Sequence, residues 1–207
     1  MRKKLLSAAL RMGMIIVGPA LLGVAIACMF WTGLGSDPTS VLVDGLHWKT
    51  GIAQADASNL VNLLFLLLLL AIDRKKVGIA TVTSAFLVGP SIGLAQRLIF
   101  NRFAQPDLVL GIVLAVAAVA LNGLGLGLYL SAGYGASSFD GLILFLREKT
   151  GLSYKNALRV FYAVVFAIGV LLGGVWGIGT VISLALCGPC FQFFYSRMSA
   201  WAKRALL

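Results

Sequence analysis

The chain has 207 residues, of which 60% are hydrophobic and 12% charged, with a mean hydropathy of +0.98. That make-up excludes an ordinary water-soluble domain and predicts an integral membrane protein. The formal charge of +10 would suit nucleic acid only if the basic residues formed one patch, and their placement along the chain excludes that.

Arg2, Lys3, Lys4 and Arg11 precede the first apolar run, Met12 to Trp31. The run approaches the ~20 residues that cross the hydrocarbon and is not closed by a small-residue cleavage site, so it is predicted as a transmembrane helix and not a secretory signal. A turn with Gly33 and Gly35 leads to a short segment in which Asp37 suits a helix cap, Pro38 the first helical position and Gly51 the left-handed residue past the end. Val41, Leu42, Leu46 and Trp48 supply apolar surface, while Asp44, His47 and Lys49 are polar. An amphipathic helix lying flat in the interface is preferred to a re-entrant one dipping into the bilayer.

The second span, Ala57 to Ile72, carries Asn59 and Asn62 on one face near its start, and Arg74, Lys75 and Lys76 follow it. In the third span, Val77 to Gln96, Gly78, Thr81 and Ser84 recur every three residues as a small, polar stripe, and Pro90 lies inside the helix, where a missing donor bends the axis. The fourth span runs from Leu108 to Leu130 with Asn122 inside it. A second Gly-x-Gly, Gly133 and Gly135, then precedes a short helix that Ser137 or Ser138 caps, that carries Asp140, and that Gly151 ends. The fifth span, Ala157 to Gly174, begins with Arg159, placed to pair with Asp140 or to snorkel. The sixth, Gly177 to Ser196, repeats the stripe as Gly177, Thr180 and Ser183 and the interruption as Pro189.

Those echoes form a repeat. Gly33, Gly35, Gly51 and Ala57 align with Gly133, Gly135, Gly151 and Ala157, and Gly78, Thr81, Ser84 and Gly89-Pro90 align one residue out of step with Gly177, Thr180, Ser183 and Gly188-Pro189. Each copy holds three spans, an odd number, so the copies enter the bilayer from opposite faces. The predicted fold is all-α: six transmembrane helices as a 3+3 inverted-topology repeat, residues 1–104 and 105–207, with one short interfacial or re-entrant helix per copy. Of the 17 Lys and Arg residues, all but Lys49, Arg97 and Arg102 fall on one side, which predicts both termini in the cytoplasm and His47 and Arg102 outside.

Matching interruptions in both halves point to a binding site between them. The predicted substrate-binding residues are Asp37, Asn62, Thr81, Ser84, Pro90, Ser138, Asp140, Arg159, Thr180, Ser183 and Pro189. Function is read as a permease or exporter of a small metabolite working by alternating access. The alternative is a non-transporting accessory or regulatory membrane protein acting through protein partners. Expected partners are the lipid bilayer and a small solute, with a homo-oligomer or accessory subunit possible and nucleic acid excluded. No enzyme activity, metal or cofactor is expected. His47 is the lone histidine, and no catalytic triad or carboxylate pair stands out in the spans. Cys187-Gly188-Pro189-Cys190 spells a redox tetrapeptide, but it sits inside an apolar span and its repeat partner Val88-Gly89-Pro90-Ser91 has no cysteine. The cysteines therefore read as small buried residues and the Gly-Pro as architectural.

The run Gly133-Tyr134-Gly135-Ala136-Ser137-Ser138-Phe139-Asp140-Gly141-Leu142, with Thr150-Gly151-Leu152-Ser153, Arg159, Gly173-Gly174, Gly177-Ile178-Gly179-Thr180 and Gly188-Pro189, resembles the YczE branch of the bacterial YitT/YczE/YyaS membrane proteins. The resemblance covers nearly the whole chain and implies a multi-pass protein of the bacterial inner membrane. Ser138-Phe139 stand where relatives often have Pro-Arg, so a ligand held by that arginine would differ here.

Overall fold

The computed structural model describes the backbone of residues 2–206 and the side chains of residues 7–204. Arg2, Lys3 and Lys4, counted above as cytoplasmic charges, lie outside the described side chains. All regular structure among the described residues is helical: α1 (Arg2–Thr32), α2 (Pro38–Thr50), α3 (Gln54–Ile72), α4 (Ile79–Leu98), α5 (Leu108–Ser131), α6 (Ser138–Thr150), α7 (Tyr154–Leu171) and α8 (Ile178–Leu206), with two single 3₁₀ turns at Arg74–Lys76 and Phe100–Arg102. Six are long and apolar enough to cross a membrane, and each coincides with a predicted span. The short pair, α2 and α6, are the segments predicted between spans.

Local chemistry sets their ends. Asp37 Oδ1 accepts from the backbone N–H groups of Thr39 and Ser40, and Pro38 opens α2 where its missing donor is not needed. Ser137 Oγ accepts from Asp140 N at the start of α6. Gly51 and Gly151 close the two helices at φ of 76° and 70°, left-handed values that glycine adopts without a Cβ clash. At the same ends, Thr50 and Thr150 donate their hydroxyls to the carbonyls four residues back, at 2.6 and 2.7 Å.

Four helices, α1, α4, α5 and α8, make the central layer. α1 and α5 cross where a Cβ on Gly18 would sit 2.8 Å from Gly125 O, and one on Gly125 would sit 2.8 Å from Gly18 O. This is close backbone packing through small residues, the usual way helices associate in lipid. α1 rests on α4 through Gly23 against Ser91, and α5 rests on α8 through Gly123 against Cys190. α3 packs along α4, with Gly89 pressed against Asn59 and Ala55. α2 is wedged between α3 and α7, and α6 touches the same two helices. The contact equivalent to α3 on α4 would be α7 on α8, and it is missing from the pairs that pack extensively.

Outside the bundle, Lys76 bridges Asp73 beside it and Glu148 of α6, the latter at 2.7 Å. Hydrogen bonding to Lys76 holds the Asp73 carboxyl below its ordinary 3.8, and the bonds to Asp73 and Glu148 raise the Lys76 ammonium above 10.5. A lowered carboxylate contributes stability above its ordinary value and loses it as pH falls through the lowered one, whereas a raised ammonium contributes below its ordinary value and loses it as pH rises through the raised one. The expected result is a melting temperature in detergent whose Asp73-dependent part is flat between those limits and falls in acid, with Asp73→Asn removing that part. Both side chains are partly exposed, 16% for Lys76 and 24% for Asp73, and water screens the pair, so the effect is small.

Candidate functional site

The N-terminal end of α2 reaches into the bundle. Asp37 lines a small pocket together with Met29 of α1, Asn122 of α5, and Ser183 and Cys187 of α8. Asn122 is fourteen residues into α5, about 21 Å along its axis at 1.5 Å per residue, so the pocket lies within the spanning region. Here the expectation of a helix lying flat gives way: Pro38, Ser40, Val41, Val43, Asp44 and Gly45 of α2 are buried against protein. The Asp37 carboxylate caps α2 and accepts the Ser40 hydroxyl at 2.7 Å. A carboxylate has about four acceptor positions, and these three bonds leave capacity toward the pocket. The space left holds about one water molecule, so in this conformation the pocket is nearly filled by its own side chains.

On the far side stands a matching cluster. Asp140 accepts from Ser137 Oγ at 2.8 Å and from Tyr154 Oη at 3.4 Å, and fully buried Tyr129 adjoins it.

Two crossed clasps hold the turns that carry these acids. Gly179 N donates to Leu34 O at 2.8 Å, and Ala80 N donates to Tyr134 O at 3.2 Å. Each binds the turn of one half to the helix start of the other. Thr81 Oγ1 further donates to Ala136 O at 2.6 Å and accepts from Gly78 N at 3.0 Å, while Thr180 Oγ1 accepts from Gly177 N at 3.3 Å. At the end of the bundle where α2 meets α7, a hydrogen-bond chain closes the structure. Gln96 Nε2 donates to Gln54 Oε1 at 2.5 Å, Gln54 Nε2 donates to Asp44 Oδ1 at 2.6 Å, and Val175 N donates to Asp44 Oδ2 at 2.8 Å.

Residues 9–196 match the family described as a family of unknown function, DUF6198. The chain belongs to DUF6198. It is 25% identical over 178 residues to the uncharacterized protein YyaS of Bacillus subtilis (strain 168), covering 86% of this chain and 89% of that one. An uncharacterized protein of Haemophilus influenzae (strain ATCC 51907 / DSM 11121 / KW20 / Rd) is 27% identical over 176 residues, 84% of this chain and 78% of the relative. The uncharacterized membrane protein YczE of Bacillus subtilis (strain 168) is 32% identical over 82 residues, 40% of this chain and 38% of its own. The YczE/YyaS-type resemblance is thereby shown. No solved structure matches the chain.

Within this DUF6198 fold, the predicted site residues part company. Asp37 and Ser183 share the central pocket, and Asp140 lies across from it. Thr81 and Thr180 are buried but belong to the clasps, and Ser84 donates to Thr81 O at 3.0 Å. Asn62 is buried and donates within its own helix to Ser58, while Ser138 is buried at the start of α6. Arg159 is exposed and makes no ion pair with Asp140. Pro90 and Pro189 are exposed on the outer faces of α4 and α8. Each proline follows its threonine by nine residues, and nine steps of about 100° place it half a turn away from the stripe.

Three residues outside the predicted binding set take part. Asn122 replaces a leucine at the equivalent place in the first copy, Leu22, and that exchange in an apolar span is the signal that could have found it. Cys187 walls the pocket while packing, like Cys190, against the apolar core of α1, α4 and α5. Asp44 is 4% exposed and ties α2 to α3 and to the α7–α8 turn, where its charge suggested a solvated face.

Proposed function

We propose that this chain is a permease that moves a small solute, unchanged, across the bacterial inner membrane by alternating access between two inverted halves, α1–α4 and α5–α8. The observation that carries the reading is a broken symmetry. Gly89 of α4 is pressed against Asn59 and the backbone of Ala55 on α3, whereas Gly188, its counterpart on α8, has nothing within 4 Å of the position a Cβ would take. Asn59 and Ala55 correspond to Arg159 and Lys155 on α7, and both are exposed. The same sequence relation thus has a closed form in one half and an open form in the other, which is what two interconverting states of an inverted repeat provide. With both termini cytoplasmic, the open seam between α7 and α8 faces the cytoplasm, and the Asp44 chain closes the outer end. The opposite state follows by closing α7 on Gly188 and releasing α3 from Gly89. The pocket offers a carboxylate, an amide and a hydroxyl but no basic side chain, so it suits a solute that donates hydrogen bonds.

Paired cysteines test this directly. The Cβ of Ala55 lies 3.1 Å from where one on Gly93 would sit, slightly inside the spacing of about 3.5–4.5 Å that a disulfide uses. In a background with Cys28, Cys187 and Cys190 replaced, Ala55→Cys with Gly93→Cys should cross-link in the present state. The equivalent pair, Lys155→Cys with Gln192→Cys, should cross-link only in the opposite one. Combining all four, either bond should exclude the other. If the second bond never forms, or both form in the same molecule, the two halves do not alternate, and the accessory-protein reading replaces the permease.

A further inference from the structure

The end of the bundle that carries α6 holds a second, larger cleft, of about 420 Å³. Arg11 of α1, Ser131 and Gly133 at the end of α5, and Tyr195, Ser199 and Lys203 of α8 line it. Two cations and three hydroxyl groups thus face one space, with no carboxylate in its wall. Arg11 Nη1 donates to Ala132 O at 2.9 Å, and its guanidinium lies 5.8 Å from the centre of the Tyr134 ring. That spends one of five N–H donors and fixes the plane of the rest. Neither Arg11 nor Lys203 forms an ion pair with a described residue.

The turn itself does not require this charge. Gly33, at φ 66°, faces Gln105 Nε2 at 3.4 Å from its notional Cβ, and Gly133, at φ 74°, faces Arg11 Nη1 at the same 3.4 Å. One turn is built twice, once with a neutral amide and once with a cation. At the depth of the cleft, on other faces of the same helices, Met12 and Ile16 on α1 and Phe193 and Trp201 on α8 are between 46% and 50% exposed. An apolar surface with a tryptophan at the depth of a basic cleft marks the level where hydrocarbon meets headgroups. We propose that the cleft binds the phosphate of an anionic phospholipid, with Arg11 as the planar fork, Lys203 as the point charge, and Ser199 and Tyr195 as hydroxyl donors, the Ser131 hydroxyl being donated to Gly127 O. Lipid-facing side chains at the same depth favour a diacyl lipid over a free phosphate ester. This inference is independent of whether the chain transports a solute.

The test is thermal melting of the purified full chain in neutral detergent, titrated separately with dioleoyl phosphatidylglycerol, dioleoyl phosphatidylcholine, inorganic phosphate and glycerol 1-phosphate. Phosphatidylglycerol should raise the melting temperature saturably and phosphatidylcholine should not. Lys203→Gln should weaken the half-saturating concentration about fivefold, and Arg11→Gln with Lys203→Gln about thirtyfold, at roughly one charge contact each. Ser199→Leu, which fills the cleft without changing charge, should weaken it as well and serves alongside Lys203→Gln if the Arg11 variant does not fold. Arg197→Gln with Arg204→Gln removes the same charge outside the cleft and should leave the titration unchanged. Equal responses to the two lipids, or an equal loss in the Arg197/Arg204 control, would overturn the site. A response to glycerol 1-phosphate matching that to phosphatidylglycerol would overturn the lipid assignment and leave a soluble anion as the occupant.

Discussion

Gly35→Ala is expected to remove most folded protein from the membrane, whereas Gly188→Ala leaves its amount and melting temperature unchanged. Gly35 has φ 91°, where an L-residue strains, and a Cβ there would sit 2.5 Å from Thr180 Oγ1 and 2.6 Å from Gly177 N. The left-handed conformation costs about 1–2 kcal/mol, and overpacking adds roughly 1–3 kcal/mol, because the obstruction includes backbone that is itself clasped to Leu34. The rest of the series is graded. Gly51, at φ 76° with nothing within 4 Å, should lose only the conformational part, about 1 kcal/mol. Gly135, at φ 113°, would meet Gly78 Cα at 3.1 Å and should fall between. Melting temperatures of the four alanine variants in one detergent check the order. If Gly35→Ala melts with Gly51→Ala, the clasp between the halves is not a constraint on the fold.

Asp37→Asn separates the two tasks of one side chain. Asparagine caps a helix about as well as aspartate, so α2 should remain in place and the melting temperature should move by less than a few degrees. The charge facing Asn122, Ser183 and Cys187 is lost, and a hydrogen bond to a charged group contributes up to about 3 kcal/mol. Affinity for a solute that raises the wild-type melting temperature in a metabolite screen should therefore fall by up to about a hundredfold. Asp37→Ala should lose the cap as well and melt lower. Solute binding unchanged in Asp37→Asn would move the binding site away from the central pocket.

Much of this architecture was legible because its causes are local. Hydropathy over ~20 residues reports the spans, and Asp37, Pro38, Ser137, Gly51 and Gly151 mark the ends of α2 and α6 through backbone chemistry that depends on immediate neighbours. The site was legible only in part, since side-chain direction inside a span is a matter of helix phase and packing. Thr81 and Pro90 both marked α4 as interrupted, yet they stand on opposite faces. Ser183 and Ser84 are repeat partners, yet one lines the pocket and the other bonds to its own helix. Asp44 looked solvated because a carboxylate on a short helix usually is; its burial depends on Gln54 and Val175, ten and 131 residues away. Arg159 was aligned with Asn59, but the seam that Asn59 fills is open in the second half.

The crossed turns also bear on how the chain is made. As the first four helices leave the ribosome, Ala80 N and the Thr81 hydroxyl have no acceptors, because Tyr134 and Ala136 come fifty-four and fifty-five residues later. An amide without a partner in hydrocarbon costs several kcal/mol, so the early half must keep the start of α4 near water or held by an insertion factor. The turn before α6 satisfies these donors first, and Leu34 O is met only later, when Gly179 at the start of α8 is made. The two clasps therefore form in sequence along the chain, and a chain that ends before α8 has only one of them.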